Sequence, residues 1–346
     1  MTQRRWADLL TGLVAGHDLD AADTGWAMGE ILAGNATEVQ IAAFAVALRA
    51  KPETVDEISG LADAMLANAV PVDIDREAVD VVGSGGDRAN TVNISTMAAI
   101  VSAGAGARVV KHGNRAASSM AGTADCLEAL GVRLDTPPQA QQRVLDAAGI
   151  VFLFAPLYHP SLRHAASARR ALGIQTTFNF LGPLANPGRP RAQAVGVANA
   201  ELAPIVAGVL AARGTRGLVF NGTDGLDELT TTTSSQVWLV SNGQVRHTEL
   251  DPADLGVAPA RPDDLVGGDA ATNAGVVREV LAGRQGAVRD IVCLNAAATL
   301  LAFRGPDLGA DLVEQLRRTM ADAARSIDSG AASRTLDAWV QASAAA

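Results

Sequence analysis

The chain has 346 residues, of which 48% are hydrophobic, 19% charged and 3% aromatic, and its net charge is −9. That length suits two modest domains, or one domain with a large appendage, better than a single core. The acidic balance, without any Lys/Arg-rich run, excludes the usual footprint of a nucleic-acid binder, and no run of 18 apolar residues is present to span a membrane.

The first residues, MTQRRWADLLTGLVAGHDLD, carry an Arg pair and a brief apolar stretch. Thr11 and Gly12 interrupt it and Asp18 and Asp20 follow it, which predicts an amphipathic helix rather than a secretory signal and a soluble, cytoplasmic protein. ATEVQIAAFAVALRA has helical apolar spacing, with Thr37 and Gln40 placed as a capping box. KPETVDEISGLADAMLANAV repeats the arrangement with Thr54 and Glu57, after a Pro52 that blocks the preceding helix. Val39, Ile41, Ala42, Phe44 and Leu48 form a broad apolar surface that needs a partner, inside the domain or on a second subunit.

PVDIDRE (71–77) reads as a hinge, after which the pattern changes. VDVVG (79–83), ARVVKH (107–112), GIVFLFA (149–155), AQAVGVA (192–198) and RGLVFNG (216–222) are short β-branched runs with Ala-rich helical stretches between most of them. The alternation predicts an α/β fold: a small N-terminal helical domain plus a larger domain with a mostly parallel central sheet covered by helices. QVWLVSNGQVRH (236–247) predicts a hairpin turning at Asn242-Gly243. The tail from Asp269 is helical, with VCLNAAATLLAF buried. Cys126 and Cys293 match no metal-ligand spacing and read as reduced core thiols.

Three segments carry chemistry. In VVGSGGDRANTVNIST (81–96), Gly83, Gly85 and Gly86 follow a predicted strand, where bare backbone can aim several N–H groups at one anion beside a helix N-terminus. Neither the GxGxxG nor the P-loop pattern is met. Asp87 would be repelled by a phosphate unless it binds a sugar hydroxyl or a metal. In KHGNRAASSMAGTADCLEALG (111–131), Lys111, His112, Asn114, Arg115, Ser118, Ser119 and Thr123 form a second, donor-rich anion cradle. In NGTDGLDELTTTTSS (221–235), Asp224, Asp227 and Glu228 lie together without EF-hand spacing. Asp227 and Glu228, with Ser95, could anchor a Mg²⁺, which binds through one or two carboxylates plus substrate phosphates. Mn²⁺ would satisfy the same oxygen ligands.

GSGGD, NIST, KHGNRAASS, the RRALG…TFNFLGPLANP run (169–187) and DGLDELT occur in one order, and together they resemble the anthranilate phosphoribosyltransferase family of tryptophan synthesis over nearly the whole chain. The resemblance implies a nucleoside phosphorylase/phosphoribosyltransferase-like fold. A helical domain over 1–72, joined by a helical return near 161–185, would face an α/β domain over 73–346 that binds 5-phosphoribosyl 1-diphosphate (PRPP). It also implies a homodimer through the helical domain, with PRPP, anthranilate and Mg²⁺ as ligands and no nucleic-acid or membrane partner. By position, Gly83, Gly86, Asp87, Thr91, Asn93, Ser95, Thr96, Lys111 and Thr123 would hold PRPP, assisted by Ser118 and Ser119. Ser95, Asp227 and Glu228 would hold Mg²⁺. Gly83, Asn114 and Arg169 would hold anthranilate, Arg169 through its carboxylate, with His112 and His159 lining the same tunnel.

Three positions depart from the family pattern. Ser84 stands where Thr is common and Thr123 where Ser is common, each keeping a hydroxyl, and Gln175 stands where Arg is frequent. No Ser-His-Asp layout or GxSxG elbow is present, and none is needed, because an aniline amine is unprotonated near neutral pH. A pyrimidine nucleoside phosphorylase would be expected to carry KHSTGG where this chain has KHGNRA. A non-catalytic nucleic-acid binder would want a basic cleft without metal ligands.

Overall fold

The computed structural model describes residues 4–116 and 120–346. Four helices come first: α1 (Trp6–Val14), α2 (Ala21–Ala33), α3 (Glu38–Ala50) and α4 (Val55–Ala67). Both expected capping boxes form. Thr37 accepts from Gln40 N and Thr54 from Glu57 N, while the Gln40 and Glu57 side chains accept from the N-cap N–H groups. Each box satisfies two N–H groups that the helix itself cannot.

Glu57 does more than cap. It is fully buried, and it also accepts from Leu19 N and Lys51 Nζ at 2.9 and 2.8 Å. Burial alone would lower the Lys51 pKa, but hydrogen bonds to Asp18 and Glu57 outweigh it and the pKa is raised. This buried pair ties the start of α4 to the loop between α1 and α2. The apolar surface of α3 divides: Ile41, Phe44 and Leu48 turn into the core, whereas Val39 is 78% exposed and Val46 is 40% exposed.

The remaining elements alternate as the sequence predicts. They are β1 (Val79–Gly83), α5 (Ile94–Gly104), β2 (Val109–Gly113), α6 (Thr123–Leu130), α7 (Gln141–Ala148), β3 (Ile150–Phe154), α8 (Ala155–Tyr158), α9 (Arg163–Leu172), β4 (Ala192–Gly196), α10 (Ala203–Ala212), β5 (Arg216–Gly222), β6 (Ser235–Ser241) and β7 (Gln244–Leu250). Four helices close the chain: α11 (Ala270–Leu281), α12 (Ala287–Arg304), α13 (Leu312–Asp328) and α14 (Ala331–Ala344). The sheet order is β3-β2-β1-β4-β5-β6-β7, with β1 to β5 parallel and the last two strands antiparallel. The β6–β7 hairpin turns through Asn242 and Gly243 at φ 51° and 75°, the left-handed pair of a type I′ turn.

Both faces of the sheet are covered, and β5 shows how. Leu218 and Phe220 join the core built with α5 and α12, while Val219 between them joins the core shared by α10 and the N-terminal helices. That second core also takes in Ala165 and Ala168 of α9 with Phe178, Phe180, Leu181 and Leu184, so α9 packs on α2 and α3. VCLNAAATLLAF lies in α12, which is buried from Ile291 to Ala302. Both cysteines are buried free thiols, and burial pushes Cys126 up to about 12 and Cys293 up to about 11. Among the described residues, no helix is long and apolar enough to cross a membrane. From β1 the chain moves outward to β2 and β3, then returns on the other side of β1 as β4. A crevice at the carboxyl ends of β1 and β4 is where such sheets bind ligands.

Removing one member of a buried ion pair leaves an uncompensated charge. Glu57→Ala removes the acceptor of Leu19 N, Thr54 N and Lys51 Nζ at once, leaving the ammonium to Asp18, and is expected to cost about 3–5 kcal/mol. Lys51→Met/Glu57→Leu, which orphans the same two N–H groups but buries no ammonium, is expected to cost less. Urea unfolding of the two variants checks this, and equal losses would contradict it.

Candidate active site

The glycine loop after β1 is built as a nest. Gly85, Gly86, Arg88 and Asn90 have φ of 71°, 91°, 61° and 52°, a run of left-handed residues that turns N–H groups inward. Gly85 N donates to Asp227 Oδ2 at 2.6 Å and Ser84 N to Gly196 O at 2.9 Å. Segment 90–92 is held from outside, with Thr91 bridged to Val266 and Val92 N donating to Leu265 O.

Gly83 and Gly196 sit in register at the ends of β1 and β4. A Cβ on Gly83 would overlap the Asp227 carboxylate, and one on Gly196 would overlap the Asp227 backbone. The two glycines form a slot that seats the loop after β5 against the sheet. Asp227 and Glu228 enter through that slot, and with Asp87 they place three carboxylates with ligand atoms within 4.8 Å of one another. Burial, then the charge of Asp87, pushes the Asp227 pKa up to about 7. Burial, then Asp227 and Asp87, raises Glu228 well above the carboxylate range. Among the described residues, Glu228 Oε2 is buried without a hydrogen-bond partner. Two proton-holding carboxylates, a third beside them and an orphaned oxygen fit a divalent cation, whose arrival displaces the protons. Asp224 does not join them. It accepts from Leu226 N and from the Thr230 and Thr232 hydroxyls, which folds the turn itself.

Lys111, near the end of β2, is buried at 1% exposure. Its ammonium donates to Val81 O and to Ser95 Oγ, the latter at 3.3 Å. Burial lowers its pKa to about 8, against the opposing pull of Asp80, Glu228 and Asp227. Asp80, in the middle of β1, is held by His112 N at 3.2 Å and Asn186 Nδ2 at 2.8 Å, and burial still pushes its carboxyl up to about 6. Neither Asp80 nor Asn186 was among the residues expected from the sequence. An acid inside the apolar run VDVVG was the available signal for the first.

His112 Nδ1 lies 3.3 Å from Gly182 O and His159 Nε2 lies 2.8 Å from Ala185 O, with the rings edge to face at 5.3 Å. Burial, reinforced by neighbouring His159, takes the His112 pKa down to about 3, and burial lowers that of His159. The pair is neutral. Arg169, on α9, lies 6.0 Å from the Phe178 ring. It has no carboxylate partner among the described residues, and burial lowers its pKa.

The other expected residues divide. Thr96 on α5 has a buried hydroxyl without a partner among the described residues. Asn93 is committed to the frame, donating to Ala121 O and accepting from Asn273. Asn114 accepts from Arg115 N, and Arg115 is pinned to Asp125 and Glu128 on α6, the helix that Thr123 opens. Gln175 reaches across to the glycine loop, its amide lying where a Gly86 Cβ would come within 2.6 Å. Ser118 and Ser119 lie outside the described residues.

The two domains match those of a glycosyl transferase family. The glycosyl transferase family's helical bundle domain matches residues 7–69 and its a/b domain residues 75–333. An anthranilate phosphoribosyltransferase of Thermobifida fusca (strain YX) is 56% identical over 345 residues, covering 100% of this chain and 99% of that one. The crystal structure of the Thermus thermophilus enzyme is 37% identical, with a TM-score of 0.89 over 97% of this chain and 99% of that one. The Saccharomyces cerevisiae enzyme in complex with PRPP and Mg is 26% identical, with a TM-score of 0.88 over 99% and 98%. The same yeast enzyme in complex with 4-fluoroanthranilate gives 0.86 at 26% identity over 99% of both chains. The chain belongs to the anthranilate phosphoribosyltransferase family.

Asp227 and Glu228 hold protons in the folded state that they release in the unfolded chain. Their contribution to stability is full below the ordinary carboxylate range and is lost as pH rises through about 7. Lys111, depressed to about 8, opposes this only above that pH, whereas the depressed His112 and His159 oppose it below the ordinary imidazole value of about 6.5 and Asp80, raised to about 6, reinforces it. The test is therefore a difference: in EDTA, between about pH 5 and about pH 7.5, the melting temperature of the wild type should fall relative to that of Asp227→Asn. A slope unchanged by the substitution would refute the assignment.

Proposed function

We infer that this protein transfers the 5-phosphoribosyl group of PRPP to the amine of anthranilate, giving N-(5-phosphoribosyl)anthranilate and pyrophosphate, the second step of tryptophan synthesis from chorismate. The observation that carries the reading is the meeting of the glycine nest, buried Lys111 and three carboxylates at the ends of β1, β2 and β5. The nest and Lys111 supply N–H and ammonium donors for a diphosphate, and Ser95, which accepts from Lys111, keeps its own hydrogen free to donate. Ser95, Asp227 and Glu228 are the residues we assign to Mg²⁺, and the geometry recommends Asp87 as a further member. When bound, Mg²⁺ supplies charge that offsets the departing pyrophosphate.

The acceptor side is chemically different. Arg169 offers an unpaired guanidinium to the anthranilate carboxylate, and Asn114 stands at the mouth of the second cradle. The neutral His112–His159 pair offers an aromatic wall rather than a base. None is required, since the amine already carries its lone pair. Alignment of that amine behind the anomeric carbon, and donors aimed where charge develops in an oxocarbenium-like transition state, carry the rate. We further assign a cytoplasmic homodimer, formed through the helical domain. Exposed Val39 and Val46 on α3 support the choice of face.

Loss of anthranilate fluorescence that needs both PRPP and Mg²⁺ tests the reaction, with EDTA and PRPP-free controls. Fluorescence unchanged in the complete mixture would overturn it. Ser95→Ala should lower turnover by roughly 10²–10³, as removal of a preorganised donor does elsewhere, and Asp227→Ala/Glu228→Ala should chiefly impair PRPP use. Arg169→Ala should raise the apparent KM for anthranilate roughly tenfold or more while sparing that for PRPP. Unchanged anthranilate kinetics would remove Arg169 from the acceptor site.

A further inference from the structure

A second feature lies at the opposite end of the sheet from the cleft. A cavity of about 200 Å³ opens near the amino ends of β4 and β5, against α4 and the GPLANPGRP segment. It is smaller than the ~300–1,000 Å³ of pockets for drug-sized ligands, so it suits a small ion. Its charged lining is three arginines, Arg76, Arg189 and Arg213, and one carboxylate, Asp63. Asp63 is already engaged by Arg213 at 2.5 Å. Arg76 and Arg189 have no carboxylate partner among the described residues, in a chain whose net charge is −9.

The three guanidinium groups are anchored in a common way. Arg76 Nε donates to Arg189 O at 2.9 Å, Arg189 to Leu66 O at 3.2 Å and Arg213 to Leu184 O at 2.8 Å. Arg76 keeps its terminal fork and Arg189 one arm without a partner among the described residues, whereas Arg213 spends both arms, on Leu184 O and Asp63. Arg213 Nε is buried with no partner at all. Thr215 also lines the wall. Arg189 is held at φ 46°, a left-handed conformation that glycine adopts without strain and a long side chain does not.

We propose that this cavity is a binding site for a small tetrahedral dianion of the phosphate class, separate from the catalytic cleft. Free guanidinium forks match phosphate oxygens in pairs. The test is calorimetric titration of the full chain with inorganic phosphate, in EDTA, at an ionic strength held constant with chloride. Wild type is expected to bind saturably. Arg189→Gly removes the cation while relieving the left-handed strain, so it should melt no lower, keep its transferase activity and weaken phosphate roughly tenfold or more. Arg76→Gln, away from the strained position, should weaken it as well. Phosphate held only in the cleft would be blind to both substitutions. Binding unchanged in both variants, or no saturable binding to wild type at millimolar phosphate, overturns the proposal.

Discussion

The buried ammonium of Lys111 is the constraint around which the cleft is arranged. A lone cation at 1% exposure would shed its proton. Here it is surrounded by Asp80 beneath and by Asp227 and Glu228 beside, and its own donors reach Val81 O and Ser95. Burial first, and then the like charge of neighbouring acids, raises Asp227 and Glu228, while Lys111, lowered to about 8, keeps much of its charge near neutrality. The imbalance is what makes the site receptive. A cation on the carboxylates, or an anion on the ammonium and the nest, relieves a conflict that burial created.

The chemistry of the cleft is divided between two supports. The groups proposed to face phosphate stand on β1, β2 and the loop after β5, all tied to the sheet. Of those proposed to face the acceptor, His159 and Arg169 stand on the segment from His159 to Asn186, which packs α9 onto the N-terminal helices and then returns to the sheet, while His112 and Asn114 stand on β2 and just after it. Asn186 belongs to both, holding Asp80 and the Val110 carbonyl at 2.8 Å each. Gln175 touches the glycine loop from the same segment. The two proposed halves of the site thus share a frame, and β2 supplies adjacent side chains, Lys111 and His112, to both.

Much of the architecture was legible because it rests on local chemistry. The capping boxes at Thr37 and Thr54, the Asn242-Gly243 turn and the β-branched runs are each decided within a few residues. The site was legible only where polar residues cluster in sequence, as in KHGNRA and DGLDE. What escaped is non-local. The slot at Gly83 and Gly196 exists because two strands, 113 positions apart, end in register. Asp80 reads as an anomaly in an apolar strand until Lys111 and Asn186 arrive from elsewhere. Asp224 looked like a companion of Asp227, but its oxygens are taken up by its own turn. Val39 and Ile41 share a predicted surface and part company in the folded helix, because only one of them faces the neighbouring helices.

The contact between Gly85 N and Asp227 joins residues 142 positions apart, and it is one of the threads on which the carboxylate group hangs. A closure of that span is entropically late: it is rewarded only after β4 and β5 have been laid between its ends. An unfolded or half-folded chain therefore offers a divalent cation only scattered acids, with none of the grouping found in the finished sheet. A divalent cation held by the grouped carboxylates would bind the completed topology, so its free concentration would weigh on how much of the chain is native. The cleft is in this sense the fold's last seam, and its ligands are also its fastening.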